Sequence, residues 1–185
     1  MKKIIFAVLL FVVNVAQANL ISVNPNFEVQ QVGVGNGVCS PDPACGVNGW
    51  GVFGNNATVG ASNWQSTQYT GHYAKIVTTL SAQGGYGLFS YRYWIPVTKS
   101  SYTFKFGGMC NVSGGLFYLG FYDANKIYMA ARTLVYPVVK SQFDFTDLTL
   151  LNTGSVSVPL GAKYMVLRFK STKSMFCMID NVNLY

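Results

Sequence analysis

Tyr102-Thr103-Phe104-Lys105-Phe106 is the stretch on which the fold turns. Three aromatic rings alternate with a threonine and a lysine, and a period of two puts the rings on one face of an extended strand and Lys105 on the other. The aromatic face is core. The same alternation recurs downstream, where Met165, Leu167 and Phe169 oppose Tyr164, Arg168 and Lys170. Within 116–122, Phe117, Leu119 and Phe121 form one set while Tyr118 and Tyr122 flank Gly120 on the other. Upstream, Phe89, Tyr91, Tyr93 and Ile95 alternate with Ser90, Arg92, Trp94 and Pro96, which predicts an inner row and an outer row that sets an arginine beside a tryptophan.

Strands are expected over 87–97, 101–110, 116–122, 127–134, 162–170 and 175–184. Turn residues separate them at 98–100, 113–115, 123–125 and 171–174. No stretch carries a sustained helical period, and the Gly-, Pro- and Cys-rich segment 32–47 reads as a long loop. With no internal repeat and no linker, one all-β domain is expected over 19–185.

The first eighteen residues read as an export signal. Lys2 and Lys3 precede the apolar run Ile4 to Val13, and Ala16-Gln17-Ala18 has the small-x-small pattern of a cleavage site. An apolar run that short does not span a bilayer, which takes about twenty residues. The expected location is therefore secreted, extracellular or periplasmic, with no membrane span. The formal net charge of +7 includes the two leader lysines, and the other basic residues are scattered rather than gathered into a stripe. That distribution argues against a nucleic-acid partner.

Four cysteines follow the leader: Cys39, Cys45, Cys110 and Cys177. An even number in an exported chain predicts two disulfides, with three possible connectivities. Cys39 and Cys45 flank the turn-forming Ser-Pro-Asp-Pro-Ala and can meet locally, which leaves Cys110 for Cys177. The spacing, with a single histidine in the chain, does not match a zinc site.

The order of Asn24-Pro25-Asn26-Phe27-Glu28, Gly49-Trp50, Thr70-Gly71-His72-Tyr73-Ala74-Lys75, Ser157 to Lys163, and Met178-Ile179-Asp180-Asn181-Val182-Asn183-Leu184 resembles carbohydrate-binding modules of the galactose-binding-like jelly-roll type. These landmarks run along nearly the whole chain after the leader. The resemblance implies a two-sheet jelly-roll β-sandwich whose terminal segments lie side by side, often with a structural calcium. The positions matching the family's acidic calcium ligands are Glu28 and Asp180; the alternative is that both accept hydrogen bonds from backbone N–H groups. It also implies that Trp50 belongs to the core.

Sugar binding needs rings for the C–H faces of a pyranose and polar groups for its hydroxyls. Trp64, within Ser-Asn-Trp-Gln-Ser, and the outer-face residues Arg92, Trp94, Tyr118 and Tyr122 are the candidates. Catalysis is not expected. The chain has one histidine, His72, and one glutamate, its only acids close in sequence are Asp144 and Asp147, and no nucleophile, phosphate-loop or dinucleotide motif appears. The expected role is a secreted binding protein for a glycan or cell-surface ligand. The alternative is an adhesion factor that grips a protein partner with the same sandwich.

Overall fold

The computed structural model describes residues 18–23, 25–28, 47–64, 71–139 and 150–185, without the side chains of residues 60, 62–64 and 150–153. Most of the leader, Cys39, Cys45, Asp144 and Asp147 lie outside the described residues. Among those described, twelve strands and no helix occur: β1 (Trp50–Asn55), β2 (Ala57–Trp64), β3 (Tyr73–Leu80), β4 (Tyr86–Tyr91), β5 (Ile95–Pro96), β6 (Ser101–Cys110), β7 (Gly115–Tyr122), β8 (Tyr128–Val135), β9 (Val138–Val139), β10 (Leu150–Ser157), β11 (Tyr164–Ser171) and β12 (Met175–Leu184). The first sheet runs β1-β4-β11-β7-β8 with β5 against β11. The second runs β10-β6-β12-β3-β2 with β9 against β6. The architecture is a β-sandwich.

Period-two patterning sets the inner faces. From the first sheet Val52, Phe89, Phe117, Leu119, Phe121, Met165, Leu167 and Phe169 are buried, and from the second Phe104, Phe106, Ile76 and Ile179. Phe104, Phe106, Phe117 and Phe169 form a chain of rings 4.6–5.4 Å apart across the sandwich. Trp50 is core as expected, stacked on Phe89 at 4.9 Å and met by Phe27 at 5.4 Å. At one end the sheets approach closely. Thr78 of β3 and Ser171 of β11 share a buried hydroxyl–hydroxyl bond of 2.6 Å, and a Cβ at Gly87 would fall within 3.0 Å of both side chains.

Cys110 and Cys177 sit directly opposite each other on β6 and β12, with Cα atoms 4.2 Å apart, and are joined by a disulfide. The expected pairing of these two cysteines is met because alternation puts both on the inward face of adjacent antiparallel strands.

The terminal segments lie side by side, as the resemblance implies. Leu20 donates its N–H to the Leu184 carbonyl at 2.8 Å, and Val182 donates to Pro25 at 2.9 Å. Asn19 clamps the seam: its Oδ1 accepts the N–H groups of Ile21 and Leu184, and its Nδ2 donates to Val182 O and Asn183 Oδ1.

One expected strand is wrong in detail. The run 87–97 is not continuous, because Ser90 faces Arg168 and Ile95 faces Met165, which leaves two more residues on the β4–β5 side than on β11. Such a bulge interrupts the alternation. Tyr91 and Ile95 stay inside, but Tyr93, expected in the inner row, is 50% exposed and rests its ring on Tyr91 at 5.3 Å.

Candidate functional site

The outward side chains of the first sheet line up in rows fixed by register. Gly51, Ser90, Arg168, Tyr118 and Thr133 form one such row across β1, β4, β11, β7 and β8. Small residues lie in its path, and a groove of about 580 Å³ opens over Gly51, Ser90 and Val166, walled by Phe53, Leu88, Arg92, Trp94 and Arg168. Gly51 leaves room there: a Cβ would come to 3.0 Å from the Arg92 Nε, and that side chain would have to give way. Without a Cβ at Gly51, Arg92 lies across β1 and donates Nε–H to the Trp50 carbonyl at 2.9 Å. Its backbone N–H bonds Gly49 O.

The bulge that expels Tyr93 also delivers Trp94. Its indole is 39% exposed and meets Tyr122 edge-on at 4.8 Å and Tyr164 at 6.1 Å. Lys126, from the β7–β8 turn, places Nζ 5.3 Å from the Trp94 ring centre and 5.8 Å from that of Tyr164. Along β11, Arg168 lies 5.8 Å over the Tyr122 ring, and Lys170 lies 4.7 Å over that of Tyr86. Burial pushes the Tyr118 hydroxyl above the ordinary tyrosine range, and the hydrogen bond and charge of Arg168 pull it back only in part. Tyr118 therefore stays a neutral phenol on this face at physiological pH.

Of the expected ligand residues, Arg92 and Trp94 meet in the groove. Tyr118 stands one strand beyond Arg168 in the same row. Tyr122 is on the outer face, as alternation requires, but it is 7% exposed, covered by Trp94 and by Tyr128 at 5.7 Å, so it backs Trp94 rather than offering a platform of its own. Trp64 ends β2 opposite Tyr73 and belongs to the second sheet. Sequence reading passed over Gly51, Lys126 and Arg168 as site residues. Lys126 reaches Trp94 from a separate turn, and nothing in local sequence ties the two together.

The two carboxylates matched to calcium ligands are both engaged by nitrogen donors. Glu28 accepts the His72 N–H at 3.0 Å, and its second oxygen lies 2.9 Å from His72 Nδ1. Burial raises the Glu28 carboxyl, but the His72 backbone bond, ring bond and charge outweigh it and hold the group below its ordinary value of 4.5. Asp180 is 2% exposed and accepts the Asn181 N–H at 2.7 Å and the Asn181 side-chain amide at 3.1 Å. Among the described residues no three His, Cys, Asp or Glu side chains converge as a metal-holding group. In this arrangement the carboxylates act as hydrogen-bond acceptors.

No family model and no curated protein matches the chain. Solved structures do. The CBM22-1 xylan-binding domain from Paenibacillus barcinonensis Xyn10C superposes with a TM-score of 0.54 at 12% identity, over 91% of this chain and 96% of that one. A structure of carbohydrate-binding modules from the β-sandwich superfamily gives 0.51 at 11% identity, over 74% of this chain and 57% of that one. The enzymatically active domain of bacteriophage CBA120 tailspike protein 4 gives 0.49 at 18% identity over 74% of this chain, which spans only 19% of the tailspike chain. At such identities the likeness concerns architecture: the chain has the β-sandwich fold of carbohydrate-binding modules.

Proposed function

We propose that the chain is an exported, non-catalytic carbohydrate-binding protein that takes a glycan on the outer face of its first sheet. The observation that carries this reading is the bulge at Arg92–Trp94, which sets a part-exposed indole and a guanidinium at the edge of an open groove. A ring packs against the C–H face of a pyranose, and flanking donors reach its hydroxyls. The shared fold adds support, since it is one on which glycan-binding modules are built. Export is supported by the leader-like residues 1–18 and by the Cys110–Cys177 disulfide.

The test is a glycan array read by tryptophan fluorescence, with Trp94→Ala alongside the native chain. Trp94→Ala should weaken binding tenfold or more while melting within a few degrees of wild type, since its ring lies outside the core. Undiminished binding would remove the ligand from this face. A melting temperature far below wild type would make Trp94 structural.

A second reading, adhesion to a protein, has one observation in its favour. Ile127, Tyr128, Met129 and Leu160 are exposed apolar side chains, and Met129 reaches Gly161 beside Leu160. Recovery of one stoichiometric protein partner, unaffected by free sugars, would favour that role.

Calcium at Glu28 and Asp180 is a further proposal, in which each carboxylate would use lone pairs beside the hydrogen bonds it now accepts. An ion held only by the folded state stabilises it by mass action. A melting temperature lowered by EDTA supports a bound ion; an unchanged one leaves both carboxylates as acceptors.

A further inference from the structure

The groove face has an electrostatic bias that aromatic platforms alone do not explain. Among the described residues, the charged side chains at outward positions of β4, β11 and the segment after β4 are Arg92, Arg168 and Lys170, and Lys126 joins them from the β7–β8 turn. All four are cations. The acid nearest to them in the turn, Asp123, is committed locally, its Oδ1 accepting the N–H groups of Asn125 and Ile127 at 2.9 and 2.8 Å. Among the described residues no carboxylate forms an ion pair with Lys126, Arg168 or Lys170.

Donor chemistry sharpens the point. Lys and Arg have only donors, and the Trp94 indole offers only an N–H. A neutral sugar hydroxyl both gives and accepts hydrogen bonds, so its recognition calls for acceptors as well as donors. The acceptors on this face are neutral hydroxyls such as those of Ser90, Tyr118 and Tyr164, whereas the four charged groups named above are all donors. Lys126, Arg168 and Lys170 lie 4.7–5.8 Å from ring centres, so each of these cations stands beside an aromatic surface. Arg168 and Lys170, two positions apart on one strand face, are separated by about 7 Å, and Tyr164 beneath Lys126 lies about 13 Å further from Arg168 along the same strand. Charges at intervals along one line match charges repeated along a polymer.

We propose that the ligand of this face is an anionic polysaccharide, with carboxylate or sulfate groups paired to Arg168, Lys170 and Lys126 while its rings rest on Trp94 and its neighbours. The proposal rests on the reading of this face as a glycan site and narrows its ligand class.

The experiment uses the full mature chain with four probes: polygalacturonate, the same polymer after carboxyl reduction, dextran sulfate, and duplex DNA. The expected result is binding of polygalacturonate or dextran sulfate at least tenfold tighter than the reduced polymer. Which of the two is tighter tells carboxylate from sulfate recognition. The preference should fall at least tenfold near 1 M salt, where the screening length is about 3 Å, and Arg168→Gln with Lys170→Gln should abolish it without a change in melting. Equal, salt-insensitive binding of the reduced polymer would overturn the anionic class while leaving glycan binding intact. DNA bound as tightly as any glycan would overturn it too, as charge attraction alone. No binding of any polysaccharide, on these probes and on the array, would sink the glycan reading itself.

Discussion

Phe117→Ala is expected to lower the folding free energy by about 3 to 5 kcal/mol. Phe117 is fully buried, and its ring meets Phe104 at 5.0 Å, Phe106 at 4.6 Å and Phe169 at 5.2 Å. It therefore joins ring partners from both sheets. Truncation removes the transfer free energy of the ring and leaves a void walled by other stiff rings that cannot collapse far into it. Since a domain of this size has only about 5 to 15 kcal/mol in total, a urea melt should show a midpoint displaced by roughly a fifth or more of its value. Tyr136→Ala is the control. Its ring is 63% exposed, and the same truncation should stay within about 0.5 kcal/mol. Equal effects at the two positions would mean that the ring chain through Phe117 is not the centre of the core.

Removing the disulfide by Cys110→Ala with Cys177→Ala should cost about 4 kcal/mol, because the bridge closes a loop with a sequence separation of 67 and so restricts the unfolded chain. Alanine is chosen over serine because both positions are buried, where a hydroxyl would need a partner. Peptide mapping without reductant should recover Cys110 and Cys177 in one linked pair, with Cys39 joined to Cys45. A crossed pairing would contradict the adjacency of β6 and β12. A melting temperature unchanged by the double substitution would show that the unfolded chain is already restricted by other means. The bridge also bears on the groove, because it ties β12 to β6 in the sheet behind, against which the first sheet packs.

What was legible in the residues follows from periods of two. The aromatic face of 102–106, the split of 164–170 into core and surface sets, and the inward set Phe117, Leu119 and Phe121 could each be read locally, because in a half-buried strand the face of a residue depends only on its parity. The pairing of Cys110 with Cys177 was reached once Cys39 and Cys45 were assigned to one another. Parity failed at the bulge after β4. Nothing in Tyr91-Arg92-Tyr93-Trp94 marks two extra residues; they appear only when the run is laid against β11, which β5 rejoins at Met165.

The site shows the same division. Arg92 and Trp94 were recognised together because they are near neighbours on one run, and Tyr118 because it alternates with buried residues. Sequence also placed Tyr122 correctly on the outer face, yet parity says nothing about what covers an outward side chain, and Trp94 and Tyr128 cover this one. The sequence by itself determined an all-β chain, the core rings of the strands at 102–106, 116–122 and 164–170, and the surplus of aromatics left for the surface. Tertiary structure alone decided that Gly51 would open a groove beneath Arg92, that Lys126 would reach Trp94 from another turn, and that the cations would line one face. Those relations join residues far apart in the chain, and only the register between strands brings them within contact distance.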